Sequence, residues 1–299
     1  MKLVRPATIA DATLASTNIL ENDYGAWSGA TTYALGDRVI VVATNTHQVW
    51  ESLQAGNLNH TPASSPTWWV LVGATNRWKM FDASVGAQST RADLIDFTLA
   101  FSERINAIGL LNLTAASVQV TATSAADGVV YDQTFDLTSD SGITDWYAYF
   151  FEPVVRKTDL FVSDLPPYAD LSIRIQVVNT GTTSALGECV AGLSREIGGV
   201  QYGATVGIQD YSVKQQDAYG NFSILERAYS KRGQFNVSMD AGITSEVERL
   251  LAEYRATPIL YVGSDDIDAT LIYGFFKDFN ISIAFPNTSY CQIEIEGLT

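Results

Sequence analysis

Flat aromatic side chains crowd into one short part of this sequence, between residues 27 and 69. Trp27, Tyr33, Trp50, Trp68 and Trp69 occur there among small and polar residues. A tryptophan is costly to expose, and its indole N–H needs a hydrogen-bond partner when the ring is buried. The window therefore predicts a compact core, a flat binding surface, or a combination of the two.

Groups that could perform acid–base or metal chemistry are sparse. The two histidines, His47 and His60, lie in the aromatic window, and the sequence has no glycine-rich phosphate loop or G-x-S-x-G motif. The denser acidic groups are Asp136, Asp140 and Asp145, and Asp265, Asp266 and Asp268. Turns between strands are the favoured interpretation, because neither group has the glycine and distal glutamate of a calcium loop. We predict no catalytic residue, no cofactor and no metal site, and cation binding by the second group stays open.

The aromatic window has an internal order. Trp27 is followed by a Y-x-x-G-D-x-V run at 33–39, a central predicted strand ending at Trp50, and a late Pro…Trp closure. This order resembles the small carbohydrate-binding modules of families five and twelve, the chitin-binding type attached to bacterial chitinases. The resemblance implies that exposed aromatic rings stack on sugar rings. Its candidates for stacking are Trp50, Trp68 and Trp69.

The same resemblance assigns a core motif to this module. The motif residues are Trp27, Tyr33, Gly36 and Asp37, with 36–37 expected to form a turn. A module of about fifty residues has little core, so packing alone needs most of its large aromatics. A purely structural role and a sugar site are therefore both open.

Composition narrows the function classes. The chain has 299 residues, a formal net charge of −15 and 17% charged residues. Its length predicts about two or three domains, and its abundant Thr, Ser, Val and Tyr favour β-structure. The negative charge disfavours nucleic acid or an anionic membrane as a partner. We expect no membrane insertion and no secretory signal, and we expect Cys189 and Cys291 to be unpaired buried thiols.

Three regions are predicted: 1–77, with a lead segment and the aromatic module; 78–193, rich in strands; and 194–299, with strands and one helix. The lead segment is interpreted as an arm docked on a neighbour or as an ordered lead-in. Runs such as S-V-Q-V-T-A in the second region alternate polar and apolar residues, as in sheets with one buried face. The run I-N-A-I-G-L-L-N-L-T-A-A-S-V-Q-V-T-A-T is similar to the middle of a discoidin-type jelly roll.

One aromatic run in the second region, at 146–151, is denser than a single buried face can use. It comprises Trp146, Tyr147, Tyr149, Phe150 and Phe151. Two interpretations stay open. The run is a fully buried sandwich strand, or part of it lies at a subunit interface, where aromatic residues are enriched.

The third region has one clear helical pattern. Val247, Leu250, Leu251 and Tyr254 recur at helical spacing, and the serine at 245 together with the glutamate at 248 predicts a capping box. Hairpins precede this helix, and four strands are expected after it, at 259–262, 271–276, 280–285 and 289–297. The region is therefore expected to form an α+β barrel or sandwich.

The end of the chain, I-Y-G-F-F-K-D-F-N-I-S-I-A-F-P-N-T-S-Y-C-Q-I-E-I-E-G-L, resembles the C-terminal hairpin of phage tail proteins. That resemblance implies a small barrel domain of the type found in tail tube, distal tail and baseplate proteins. The hypothesis is a mainly β, non-enzymatic virion protein made in the bacterial cytoplasm. Its expected partners are copies of itself in a ring, other tail proteins, and a bacterial surface glycan.

Two alternatives to this hypothesis are kept. The first is a glycan-binding, lectin-like protein or an accessory module of a polysaccharide-degrading system. The second is a hydrolase with two carboxylates across a cleft, a pair that glycosidases require and that no motif in this sequence indicates.

Overall fold

The computed structural model describes residues 1–138, 145–151, 154–216, 219–265 and 267–299. Within them, the mainly β fold that the sequence predicts is confirmed. The strands are β1 (Lys2–Pro6), β2 (Leu14–Thr17), β3 (Thr32–Tyr33), β4 (Arg38–Ala43), β5 (Thr46–Ser52), β6 (Asn57–Leu58), β7 (Trp69–Ala74), β8 (Ser89–Ala100), β9 (Ala107–Thr114), β10 (Ser117–Ser124), β11 (Gly128–Asp136), β12 (Leu160–Val162), β13 (Ser172–Glu196), β14 (Gly199–Val200), β15 (Thr205–Asp210), β16 (Val213–Gln216), β17 (Phe222–Leu225), β18 (Tyr229–Asp240), β19 (Ile259–Val262), β20 (Leu271–Ser282) and β21 (Thr288–Gly297). The α-helices are α1 (Trp146–Phe151) and α2 (Thr244–Tyr254).

The central region is organised around the long strand β13. Its first half pairs with β10 on one side and β8 on the other, and its second half pairs with β9. The two halves meet at an irregularity between Asn179 and Thr183, where Gly181 has a φ of 81°. Few residues other than glycine adopt that conformation readily. One strand therefore pairs with β10 before this irregularity and with β9 after it.

The core of the central region follows from period-two sequence patterns. In β10 every second residue is buried, and the same alternation occurs in the first half of β13. Side chains from several strands meet in one cluster, which includes Phe97 from β8, Leu110 from β9 and Ile175 from β13. The alternation therefore predicts the inward face of these strands correctly.

The lead segment joins the two larger regions. Strand β1 lies between β13 and β19, with antiparallel pairing on both sides, and β2 pairs with β8. Since β13 and β19 use both edges of β1, the interpretation of this segment as an arm docked on a neighbour is wrong. Strand β13 also continues to Glu196, past the predicted boundary at 193. The division into three domains stays a prediction.

The C-terminal sheet runs in the order β19-β20-β21-β18, and β14 and β15 both pair with the outer side of β18. Helix α2 buries Val247, Leu250, Leu251 and Tyr254, as its spacing predicts. The predicted capping box is wrong, because the helix begins at Thr244 with no side-chain cap. Instead, the Asp240 side chain accepts a hydrogen bond from the Gly242 N–H at 2.7 Å in the turn before the helix.

Two strand predictions also need correction. Residues 271–285 were expected to form two strands, but β20 runs unbroken from Leu271 to Ser282 with a bulge between Phe276 and Asp278. The bulge absorbs the break in alternation that suggests two strands. Residues 146–151 form the short helix α1 and not a buried strand. Helical spacing lets Tyr147 pack on Phe151, with ring centroids 4.8 Å apart.

Candidate functional site

The aromatic module contains an antiparallel sheet of β4, β5 and β7 and a small ladder of β3 with β6. Gly36 has a φ of 84°, and the Asp37 carboxylate accepts a hydrogen bond from the Ala34 N–H at 2.7 Å. Both residues are exposed. They form the turn expected at 36–37, and their assignment to the core of the module is wrong, because the turn faces solvent.

The core of the module is small and aromatic. Tyr33, Val39 and Trp69 form its buried cluster, and Trp27 packs against them while partly buried. Tyr33 meets Trp69 edge-to-face at a centroid distance of 5.2 Å, and the Trp69 indole N–H donates to the His60 carbonyl at 2.8 Å. Trp69 is only 1% exposed. The prediction that Trp69 stacks on a sugar ring is therefore wrong, because neither face of its ring is accessible.

Two of the three predicted stacking residues keep some accessible surface. Trp50 and Trp68 are each partly buried against the module cluster. The His60 ring covers one face of Trp68, at a centroid distance of 3.9 Å and an interplanar angle of 11°. The Trp50 indole N–H donates to the Gln48 side-chain oxygen at 3.2 Å. A sugar site on this side of the module is thus limited to these two rings.

His47 connects the module to the lead segment through a cluster that the sequence did not predict. One ring nitrogen lies 2.7 Å from the Asp11 carboxylate, and the other lies 2.8 Å from the Glu21 carboxylate. The ring stacks on Trp78 at 4.3 Å. The Asn45 backbone amide, and then the His47 ring, hold the pKa of Asp11 below its usual value. No sequence signal joins these residues, because they are far apart in the chain and follow no spacing rule.

Three described aspartates of the two acidic groups have identified local roles. Asp136 accepts a hydrogen bond from the Thr138 N–H at 2.8 Å, as expected of a turn. Asp265 forms an ion pair with Lys2, Asp268 begins a short 3-10 turn, and Asp140 and Asp266 lie outside the described residues. No group of three or more potential metal ligands occurs in the described part of the chain. Both thiols are free and buried, as predicted.

A surface with unmet packing lies in the C-terminal region, at residues 205–229, which we call the arm. Helix α1 presents a second one, with four exposed aromatic side chains: Trp146, Tyr147, Phe150 and Phe151. All six residues of β15 are exposed, and β16 pairs only with β17 among the described strands. The exposed large apolar residues of the arm are Val206, Ile208, Tyr211, Tyr219, Phe222, Ile224, Leu225 and Tyr229. Alternation in T-V-G-I-Q-D is typical of one buried face, so the sequence did not reveal that both faces are open.

The same sheet also presents two strand edges. On its outer side β15 has no partner among the described strands, and β20 beyond Gly274 pairs only with β21. Unpaired backbone N–H and C=O groups along such edges are templates for pairing with another chain. The edges and the arm together form the candidate assembly surface.

Comparison with known proteins adds no assignment: no family model, no curated protein and no solved structure matches this chain. Among the described residues, no helix has both the length and the apolar character needed to cross a membrane.

Proposed function

We propose that this chain is a structural protein of a phage tail tip or baseplate that assembles through its C-terminal region. The exposed apolar arm carries the proposal. An isolated two-stranded hairpin is marginally stable in water, and a contiguous apolar surface usually marks an interaction site. Phe222 is 68% exposed and Ile224 67% exposed on β17. Contact with a second chain would bury these side chains and stabilise the hairpin.

The two open edges of the C-terminal sheet support a head-to-tail arrangement. Strand β15 borders one side of the sheet, and residues 275–282 of β20 border the other. Pairing of one edge with the other edge of the next copy is a heterologous contact, which gives a ring if the rotation closes. The expected partners are copies of this chain and other tail proteins, and the expected location is the virion.

Sedimentation analysis of the purified chain tests this function. We expect an oligomer that grows with concentration, and we expect Ile208→Lys to weaken it, because the substitution places a charge on the open strand β15. Leu35→Lys is the matched control, since Leu35 is 68% exposed but lies in the module. A parent chain that stays monomeric at high concentration, and is absent from virions, would contradict the proposal.

A second candidate, glycan binding, has one supporting observation: the partly open rings of Trp50 and Trp68. Aromatic faces of this kind can stack on the C–H face of a sugar. Binding to a chitin or cell-wall polysaccharide column measures it. Retention of the parent chain, with weaker retention of both Trp50→Ala and Trp68→Ala, would support glycan binding. Since neither ring is fully buried, both variants are expected to keep the module folded. No retention of the parent chain would remove this candidate.

A further inference from the structure

A cavity of about 360 Å³ lies between the central region and the C-terminal sheet, beside the end of the arm at residues 226–229. Its walls are mainly apolar, and charged groups are confined to a few positions. The residues on which the argument depends are Leu111, Asp159, Tyr229, Lys231, Leu271 and Tyr273. The volume lies in the range of small-molecule sites, which combine apolar walls with a few convergent polar groups.

On one side of the cavity, an acidic and a basic side chain form an ion pair with each other. Asp159 is only 5% exposed, accepts a hydrogen bond from the Asn112 N–H at 3.0 Å, and forms an ion pair with Lys231. The Lys231 ammonium also donates to the Leu271 carbonyl at 3.3 Å. An ammonium has three N–H donors. One donor of Lys231 and the remaining lone pairs of Asp159 are left to face the cavity.

Tyr273 supplies the second observation. It lines the cavity and is 7% exposed, yet its hydroxyl takes part in no hydrogen bond among the described residues. Burial, and then the nearby Glu188, raise the pKa of Tyr273, so the hydroxyl keeps its proton. The hydroxyl is not one of the buried side-chain atoms that lack a partner among the described residues, so it reaches the open space of the cavity. A ligand oxygen in the cavity can accept a hydrogen bond from it.

We propose that this cavity binds an uncharged ring compound with one hydroxyl group, with phenol as the chemical class. A hydroxyl can donate to Asp159 while it accepts from Lys231 or Tyr273. The lining holds two acidic and two basic side chains, Asp159 and Glu226 with Lys231 and Arg227, so its net charge favours neither an anion nor a cation. The ring packs against the leucines at 111 and 271.

Titration of the full chain with p-cresol, with toluene as the analogue that lacks the hydroxyl, tests the chemistry. The heat of binding is the readout. We expect saturable p-cresol binding and a loss of about fivefold in Tyr273→Phe, which removes one hydrogen bond. Toluene should bind more weakly to the parent chain, and its affinity should change by less than about twofold in the variant. Equal losses for the two compounds would contradict a role for the hydroxyl.

A second pair of variants tests the location. Ala228 lines the mouth and is exposed, so Ala228→Trp should obstruct the cavity without strain in the core. We expect this variant to lower the affinity for p-cresol by more than about tenfold, and a tenfold loss corresponds to about 1.4 kcal/mol of binding free energy. Ala30→Trp, at an exposed position of the aromatic module, should leave p-cresol binding unchanged. No saturable binding to the parent, or binding that Ala228→Trp leaves intact, would overturn the proposal.

The ligand can be a free phenol or a tyrosine side chain of another polypeptide. N-acetyl-tyrosinamide, titrated in the same way, separates these sources. Binding comparable to p-cresol would favour a tyrosine side chain. Binding of p-cresol alone would favour a free small molecule. Both results support a phenol site, and failure of both probes contradicts it while leaving the assembly proposal standing.

Discussion

The aromatic module and the arm both place large apolar side chains on short strands, but the module buries these side chains and the arm exposes them. In the module, Tyr33 and Trp69 are buried against each other, and His60 covers one face of Trp68. In the arm, Phe222 and Ile224 are each more than 60% exposed. Burial of apolar area contributes about 25 cal/mol per Å². The module has gained that contribution within the chain, whereas the arm can gain it only from another chain.

In the module, the high density of aromatic residues marks a core and not a binding surface. The tryptophan-rich window is the most conspicuous feature of the sequence, yet Trp69 within it is a core residue. The arm has an ordinary composition, and it is exposed because no other described element packs on it. Four substitutions would break or sharpen this contrast, and the largest effects are expected within the module and core.

Trp69→Ala should have the largest effect on stability. It removes a fully buried ring together with its hydrogen bond to the His60 carbonyl. Large-to-small core substitutions of this type cost about 3–5 kcal/mol. Urea unfolding followed by tryptophan fluorescence measures the loss, and Trp50→Ala should lose clearly less. Equal losses for the two variants would mean that Trp69 is not the centre of the module.

His47→Ala should come next, because it leaves the carboxylate of Glu21, whose side chain is 9% exposed, without its ring partner. Removing one member of a buried pair costs about 3 kcal/mol or more, and the partial exposure of Asp11 lowers our expectation to about 2–3 kcal/mol. His60→Ala is the control: it loses the stacking contact with Trp68 and a 3.1 Å hydrogen bond with the Asn57 side chain, together about 1–2 kcal/mol. A His47→Ala variant as stable as the control would contradict the idea that this cluster holds the lead segment against the module.

Glu188 should make stability depend on pH in a defined direction. Burial, and then the charge of Asp82, raise the pKa of Glu188 from 4.5 to about 9. The folded chain therefore holds a proton that the unfolded chain releases, so this contribution is complete below pH 4.5 and is lost as pH rises towards 9.

Glu188→Gln should flatten that dependence. Its side-chain oxygen can still accept from the Ala83 N–H, and it is neutral at every pH, so we expect a gain of about 1–2 kcal/mol at pH 8. Unfolding midpoints at pH 5 and pH 8 measure the effect. Glu103→Gln, at an exposed carboxylate, should leave the pH dependence unchanged. A Glu188→Gln variant with the parent's pH profile would show that Glu188 is ionised in the folded chain.

The smallest effect on stability is expected for Ile224→Ser in the arm. The side chain is 67% exposed, and surface substitutions of this kind change stability by about 0.5 kcal/mol or less. Urea unfolding under dilute conditions should therefore match the parent. A loss of about 2 kcal/mol or more would indicate that Ile224 packs within its own chain.

The sequence predicted the features that depend on local periodicity. Alternation marked β10 and β21, and helical spacing marked the buried face of α2. The tight aromatic run at 146–151 was misassigned, because six residues fit a strand or a single helical segment equally well.

The rest depends on long-range contacts that no local pattern encodes. His47 meets Asp11 and Glu21 through tertiary packing, and β1 joins the two large regions although at least 186 positions (from 6 to 192) separate its residues from their partners. The arm is exposed because of where the other described elements lie. The residues of β15 alone do not indicate this exposure.

Sedimentation velocity over a concentration series, with the parent chain and an Ile208→Lys, Ile224→Ser double variant, tests the central claim most directly. We predict that the parent forms a defined oligomer and that the double variant sediments as a folded monomer with the parent's circular dichroism spectrum. A parent chain that remains monomeric throughout, or a double variant that assembles as the parent does, would contradict assembly through the arm.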